Sequence, residues 1–340
     1  MVTLYGPPAT PAWDGLRARR VDAPDAQRLD TVLPEKRALL FVHDRLPEDV
    51  AGRLGARHTL VGFTHAPLQG AEAAWLRHCA LVVAPSRYCV EALRRSGVQR
   101  VYPAPVYPAG RRSGDSAAPI VKVPPYRWDR SKPREKVLAG LAPLKNVFSR
   151  LEEYRKRPGL TLGVVSALTP ARRYAELFPH LAPILARHGV NLEIFGAGSY
   201  GHVRELKAAL APLGERARFW GHQKDVAAAY AGIDYLLASL PEGEALGVRV
   251  LEAQACGTPV LAAHAAPFTE TVIRGHTGLL YPDPRGDGGA GFDALVGKLK
   301  GAPRPDPRRA VLHLSQFSQH ALFERTRRLL QYISDIRIAA

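Results

Sequence analysis

The sequence predicts an α/β fold of two doubly wound domains, each built on a mainly parallel sheet. The chain has 340 residues, which at roughly 100–200 residues per domain corresponds to two domains. Short apolar runs alternate with longer segments of helical periodicity, as in repeated βαβ units. A stretch rich in Pro and basic residues, from residue 103 to 158, separates the two halves of this alternation.

Composition and charge narrow the class of protein. Hydrophobic residues make up 46% and charged residues 23% of the chain, which is usual for a globular protein. We find no apolar run of about 18 residues and no signal-peptide pattern at the start, so we expect a cytoplasmic protein, with a peripheral position on the inner membrane face as an alternative. The formal charge of +16 favours anionic partners such as nucleotides or lipid headgroups. No basic motif interleaved with aromatic residues points to nucleic acid.

The sequence contains no motif that predicts a metal site or a bound cofactor. Cys79, Cys89 and Cys256 are the three cysteines, and their apolar surroundings predict buried free thiols in a reducing compartment. No Cys/His cluster has zinc spacing, and no Asp-x-Asp pair occurs to hold a metal–nucleotide.

The first domain is predicted over residues 1–110. Strands are expected at 38–42, 59–63 and 81–84, followed by a helix through residues 88–93. His43 and His65 follow the first two strands. Ligands of parallel sheets bind at the carboxyl ends of strands, so these two histidines are candidate site residues.

The segment 111–158 is predicted to be an interdomain linker, with one helix near residues 144–154. Residues 122–157 contain eleven Lys and Arg and four Asp and Glu, a formal charge of +7. Two interpretations stay open: a solvated basic linker, or a surface that contacts an anionic membrane or an acceptor.

The second domain is predicted over residues 159–314, with a final helix in 315–340. The expected strands are 160–166, 191–195, 217–220, 235–238 and 259–262, and the expected helices are 174–188, 203–213, 226–231 and 248–256. The final helix, residues 319–333, carries an apolar stripe at a spacing of three to four residues. Its members are Leu322, Phe323, Thr326, Leu329, Leu330 and Ile333.

Two glutamates separated by seven residues form the densest signal. Glu244 precedes a turn at Gly247, and Glu252 lies on the helix that follows. A helix N-terminus after a strand favours phosphate. A carboxylate before it can accept hydrogen bonds from sugar hydroxyls, and one within the helix can accept them from ribose. Two glutamates in an Ala-rich region are, on their own, typical of a solvated surface.

The residues around this pair resemble the donor-binding signature of retaining glycosyltransferases of the glycogen-synthase-like superfamily (family 4, group 1). The matching segments are 244–247 (EALG), 251–253 (LEA), 255–260 (ACGTPV) and 275–280 (GHTGLL). The resemblance implies two Rossmann-like domains (GT-B) with a cleft between them, and a final helix that packs back on the first domain. It implies a nucleotide sugar as substrate, with no cofactor and no metal.

The same resemblance implies site residues. The implied catalytic residues are His65, which would contact a sugar hydroxyl, Glu244, which would orient the sugar, and Arg172, which would bind the diphosphate. The implied donor-binding residues are Glu252, Gly196, Gly198, Arg173, His222, Leu246, Gly247 and Val248.

One segment departs from the family pattern. Residues 164–172 (VVSALTPAR) resemble the segment Gly-Arg-Leu-x-x-Glu-Lys, whose two cations hold the donor diphosphate. Arg172 stands at the Lys position, but Ala167 replaces the Arg. Three explanations stay open: Arg173 supplies the charge, the donor is a nucleoside monophosphate sugar, or activity is lost.

The sequence therefore predicts transfer of a sugar, with retention of configuration, to a hydroxyl of a glycan or lipid-linked acceptor. The alternatives are a catalytically degenerate nucleotide-sugar-binding protein and another enzyme of the same fold, such as a phosphorylase or an epimerase.

Overall fold

The computed structural model describes residues 3–6, 19–22, 26–68, 70–110, 119–127 and 152–339. The chain divides into two compact units, Met1–Val106 and Tyr107–Ala340. Each unit contains parallel β-sheet together with helices. The predicted α/β fold class is confirmed.

The first unit contains two small parallel sheets. Strands β1 (Thr3–Gly6) and β2 (Arg19–Asp22) pair with each other, and β3 (Leu39–Val42), β4 (Thr59–Phe63) and β5 (Leu81–Val83) form a sheet in that order. Its helices are α1 (Leu29–Val32), α2 (Glu48–Arg57) and α3 (Arg87–Arg95), with a 3₁₀ segment at Gly70–His78. Helix α3 begins after Ser86, whose side chain accepts a hydrogen bond from the backbone N–H of Cys89 at 3.0 Å, as an N-cap serine does.

The second unit is built on a six-stranded parallel sheet in the order β11-β10-β9-β6-β7-β8. Its strands are β6 (Thr161–Val165), β7 (Asn191–Phe195), β8 (Ala217–Gly221), β9 (Tyr235–Leu237), β10 (Val260–Ala263) and β11 (Gly278–Tyr281). Counted from the first strand of the unit, this is the doubly wound order 3-2-1-4-5-6. The strand order reverses between β6 and β9, which are hydrogen-bonded neighbours.

Helices connect these strands, and further helices follow the last strand. They are α4 (Tyr174–Arg187), α5 (Tyr200–Ala209), α6 (Val226–Ala231), α7 (Val248–Ala255), α8 (Phe268–Thr271), α9 (Pro284–Asp287), α10 (Ala290–Leu299), α11 (Val311–Ser315) and α12 (Gln319–Ala339). Short 3₁₀ segments lie at Pro170–Arg172, Ala211–Arg216, Pro241–Gly243 and Pro307–Arg309. Strands β6 and β7 are buried along their whole length, as is usual for strands of a parallel sheet that is covered on both faces. The predicted strands and helices of this half are confirmed within a few residues at their ends.

The described ends of the predicted linker pack on the second unit. Val121 forms an antiparallel bridge with Glu153, and the Tyr154 ring packs edge-on against Trp220 at 5.2 Å. Residues 144–151 of the predicted helix near 144–154 lie outside the described residues. Its described end is extended rather than helical, because Glu153 pairs as a strand does.

The final helix corrects the predicted apolar stripe. Leu329 and Ile333 are buried, but Phe323 is 66% and Leu330 51% exposed. Helix rotation brings Arg325 inward instead, with its guanidinium 4.9 Å from the centre of the Tyr107 ring, where a cation–π contact stabilises it. The packing of this helix on the first domain stays a prediction.

Two further expectations concern the cysteines and the membrane. Cys79 and Cys89 are buried free thiols, and Cys256 is half-buried, contrary to the prediction that all three are buried. Burial raises the pKa of the Cys79 thiol to about 12. Among the helices in the described ranges, none is both long and apolar enough to cross a membrane.

Candidate functional site

The candidate donor residues of the second unit gather at the carboxyl edge of its sheet. Strand β6 leads into Ser166 and strand β9 into Ser239, at the position where the strand order reverses. The chain after Ser239 makes a 3₁₀ turn, reaches Glu244, and enters helix α7 after Gly247. Such a switch point is where doubly wound sheets bind ligands.

Glu244 is held by a hydroxyl and an arginine. The residue is only 8% exposed. The Ser239 hydroxyl donates to Oε1 of Glu244 at 2.8 Å, and the Arg172 guanidinium donates to the same oxygen in an ion pair. Because both bonds end on Oε1, Oε2 is the oxygen suited to accept a hydrogen bond from a ligand hydroxyl.

Glu252, eight residues further along the chain on helix α7, is held in the same manner. The Tyr230 hydroxyl donates to Oε2 of Glu252 at 3.2 Å, and Arg249 donates to that oxygen at 2.6 Å. Here Oε1 is the oxygen directed away from both bonds. Each of the two glutamates thus has one oxygen fixed by protein donors and a second oxygen that is suited to a ligand.

The sequence interpretation missed three of these supporting residues. Ser239 follows a predicted strand end and Arg249 lies at the predicted start of a helix, both close to the matching segments, so their positions offered a signal. Tyr230 offered none, since it belongs to helix α6 and reaches Glu252 only through the packing of the sheet.

Arg172 and Arg173 have different surroundings. Arg172 ends the 3₁₀ segment Pro170–Arg172 and pairs with Glu244. Arg173 has a positive φ of 53°, and its side chain binds Glu176 at 2.8 Å and Glu242 at 3.3 Å. The structure therefore brings Arg172 into the glutamate cluster, whereas Arg173 lies between two other carboxylates.

The turn with Gly196 and Gly198 is a close crossing of two backbone segments. A β-carbon at Gly196 would overlap the carbonyl oxygen of Ser166, and one at Gly198 would overlap that of Leu168. The backbone N–H groups of Ser166 and Leu168 donate to this same turn, at 3.1 Å to Phe195 and 3.0 Å to Ala197. These glycines are required for packing whether or not they contact a donor.

We expect Gly196→Ala to lower the free energy of unfolding by at least about 1–3 kcal/mol, because a clash with backbone atoms cannot be relieved by a rotamer change. Urea unfolding followed by circular dichroism measures this. Gly201→Ala is the matched control: nothing lies within 4 Å of its β-carbon position on α5, so it should be neutral or slightly stabilising. Equal stability of the two variants would contradict the conclusion that Gly196 is required for the close crossing of the two backbone segments.

The residues at the start of α7 divide between core and surface. Leu246 is 1% exposed and lies in an apolar cluster with Tyr107, Leu251 and Phe317. Its side chain therefore supports the loop, which leaves only its backbone for the donor contact that the resemblance implies. Gly247 has a φ of 81° and no side chain caps the helix, while Val248 is exposed.

The candidate histidines lie at strand ends, and their roles stay predictions. His222 follows β8 and is exposed. His65 follows β4 in the first unit, is exposed, and stacks on His43 at 5.6 Å. Partial burial lowers the pKa of His43, and the charge of His65 lowers it further, against the opposing effect of Asp44.

A small cavity of about 10 Å³ lies beside Glu244, at the carboxyl edge of the sheet of the second unit. It has room for roughly one water molecule. Ser166, Tyr174, Glu244, Gly247 and Arg249 are among its lining residues. Burial raises the pKa of the Tyr174 phenol, with Glu244 raising it and Arg172 and Arg249 lowering it. The positive charges of both arginines thus reach Tyr174, which lines the cavity. Over the described ranges, no group of three or more His, Cys, Asp or Glu residues is placed to hold a metal ion.

Comparisons with known proteins show similarity to glycosyltransferases. The family model described as glycosyl transferases group 1 matches residues 159–292. A phosphatidyl-myo-inositol mannosyltransferase of Mycobacterium leprae is 36% identical over 113 residues, 33% of this chain and 29% of that protein. A D-inositol 3-phosphate glycosyltransferase of Jonesia denitrificans is 29% identical over 218 residues, 58% of this chain and 47% of that protein. The chain thus spans less than half the length of these curated relatives.

Solved structures share the fold at low identity. The Anabaena protein HepE, solved in complex with UDP-glucose, superposes with a TM-score of 0.60 at 17% identity, over 86% of this chain and 78% of that one. A glycosyltransferase from Rickettsia africae superposes with a TM-score of 0.66 at 13% identity, over 97% and 89% of the two chains. These likenesses extend through both units of the chain.

Proposed function

We propose that this protein, whose residues 159–292 form a glycosyl transferases group 1 domain, transfers a sugar from a nucleotide sugar to a hydroxyl acceptor. The observation that carries the proposal is a pair of glutamates at the switch point of the sheet, of which Glu244 is buried and Glu252 is half-buried. Each is fixed through one oxygen by a hydroxyl and an arginine. Such fixed carboxylates, with a free oxygen each, suit the recognition of sugar and ribose hydroxyls.

The proposed chemistry is electrostatic. Negative charge develops on the diphosphate as the sugar leaves, and Arg172 and the N–H groups at the start of α7 stabilise it. Glu244 orients the sugar through Oε2, and Glu252 orients the ribose through Oε1. Because Ser239 and Arg172 already hold Glu244 in place, its carboxylate loses little freedom when the donor binds.

The finer features of the reaction follow the family. We propose retention of configuration at the transferred sugar, catalysis without a metal, and His65 as a contact to a sugar hydroxyl. The curated relatives act by name on inositol-containing acceptors, so inositol phosphates and inositol lipids are the first acceptors to screen. A lipid-linked acceptor would place the basic protein at an anionic membrane surface.

A thermal-shift panel of nucleotides and sugar nucleotides, without added metal, tests the donor assignment. A ligand that binds only the native state raises Tm by mass action. At about 100 times its Kd the right nucleoside diphosphate should add about 2.7 kcal/mol, which corresponds to a rise of about 5–10 °C.

The matched controls are the nucleosides of the same bases, which lack the diphosphate. Stabilisation by one nucleoside diphosphate and its sugars supports the proposal and identifies the donor class. If no nucleotide or sugar nucleotide raises Tm, the proposed donor site is wrong. Stabilisation without any turnover on the acceptor panel would instead favour a catalytically degenerate binding protein.

A further inference from the structure

We propose that Arg249 is the second cation of the donor site, and that it binds the diphosphate of the nucleotide sugar beside Arg172. The inference rests on the proposed function, and it names which residue compensates for Ala167, where the family pattern has an arginine.

The position of Arg249 is the first argument. It lies in the first turn of α7, two residues after Gly247. Its side chain lines the same small cavity as Ser166, Gly247 and Glu244. Ser166 adjoins Ala167, so Arg249 brings a guanidinium to the surroundings of the position that lacks one. With 42% of its side chain exposed, Arg249 reaches from the cavity to solvent.

The donors that Arg249 keeps are the second argument. A guanidinium has five N–H donors. One of them, on Nη1, binds Oε2 of Glu252 at 2.6 Å, an oxygen that Tyr230 also binds. The contacts of Arg249 with Glu252 and Tyr230 hold the guanidinium by the cavity, and its planar fork matches a phosphate in geometry.

Charge balance is the third argument. Arg172, Glu244 and Glu252 alone carry a formal charge of −1, which would oppose the approach of a diphosphate. Arg249 makes the cluster neutral before the donor binds. Arg173, the alternative from the sequence, already binds Glu176 and Glu242, so its charge is matched by two carboxylates outside the cavity.

The test compares the binding of UDP with that of uridine, and of GDP with that of guanosine, by isothermal titration calorimetry. The variants are Arg249→Gln, Arg249→Lys and Arg173→Gln, with Arg187→Gln as the control. Arg187 is an exposed arginine at the far end of α4, paired with Asp293. The preferred diphosphate should bind Arg249→Gln about 10–100-fold more weakly, since a charged hydrogen bond to it is lost. Nucleoside affinity should stay within about twofold, and Arg249→Lys should recover part of the loss because it keeps the charge.

Other outcomes overturn the proposal in distinguishable ways. Unchanged diphosphate affinity in Arg249→Gln excludes the phosphate contact and leaves the proposed function intact. Equal losses for diphosphate and nucleoside assign Arg249 to the support of Glu252 instead. A loss confined to Arg173→Gln makes Arg173 the second cation. If the unaltered protein remains folded but binds none of the nucleoside diphosphates of the thermal-shift panel, the proposed function itself fails, and this inference fails with it.

Discussion

Replacing Glu244 by alanine should lower the rate of sugar transfer by roughly 10²–10³-fold, the range found when one preorganised polar contact of an active site is removed. The carboxylate is buried and held by Ser239 and Arg172, so its loss removes a fixed partner of the sugar. Binding of the nucleoside diphosphate should remain within several-fold, because that ligand lacks the sugar. The measurement is release of nucleoside diphosphate from the donor identified by thermal shift, together with calorimetry.

A control separates this effect from a general loss of charge. Glu205 lies on helix α5 of the second unit, its side chain is 66% exposed, and it pairs with His202 one turn earlier on the same helix. Glu205→Ala should transfer sugar at the original rate. If Glu244→Ala did the same, the central assignment of the site would be wrong.

The largest effect on stability is expected at Glu193, the central residue of strand β7. Its fully buried carboxylate accepts a hydrogen bond from the indole N–H of Trp220 at 2.7 Å and one from Arg157 at 2.8 Å. Glu193→Ala should lower the free energy of unfolding by about 3–5 kcal/mol, since it leaves the Arg157 cation without its ion-pair partner and the indole N–H without its acceptor. Urea unfolding followed by tryptophan fluorescence measures the change.

Two further variants test the cause. Glu193→Gln keeps an oxygen acceptor but loses the charge, so its loss of stability should be smaller than that of Glu193→Ala. Glu205→Ala should change stability by no more than about 0.5 kcal/mol, as surface substitutions do. A loss of less than about 1 kcal/mol in Glu193→Ala would mean that water or a shifted side chain replaces the carboxylate.

Local pattern was sufficient for most of the secondary structure of the second unit. Strand β7 shows the alternation of a strand at Leu192 and Ile194, and helix α4 has both the period and the closing glycine of an amphipathic helix. The final helix shows where local pattern fails. Period alone could not tell Phe323, which is exposed, from Arg325, which contacts Tyr107, because the partner is distant in the chain.

The sequence by itself determined the fold class, the order of strands and helices in the second unit, and the segment that holds Glu244 and Glu252. It did so because sheet and helix periods, turn glycines and the seven-residue spacing are local properties of the chain. Only the tertiary structure decided which oxygen of each glutamate is free, which arginine accompanies it, and that Leu246 belongs to the core. Tyr230 and Glu252 are 22 residues apart, and Arg172 and Glu244 are 72 apart. Such contacts exist only once the parallel strands of the sheet have brought their carboxyl ends together.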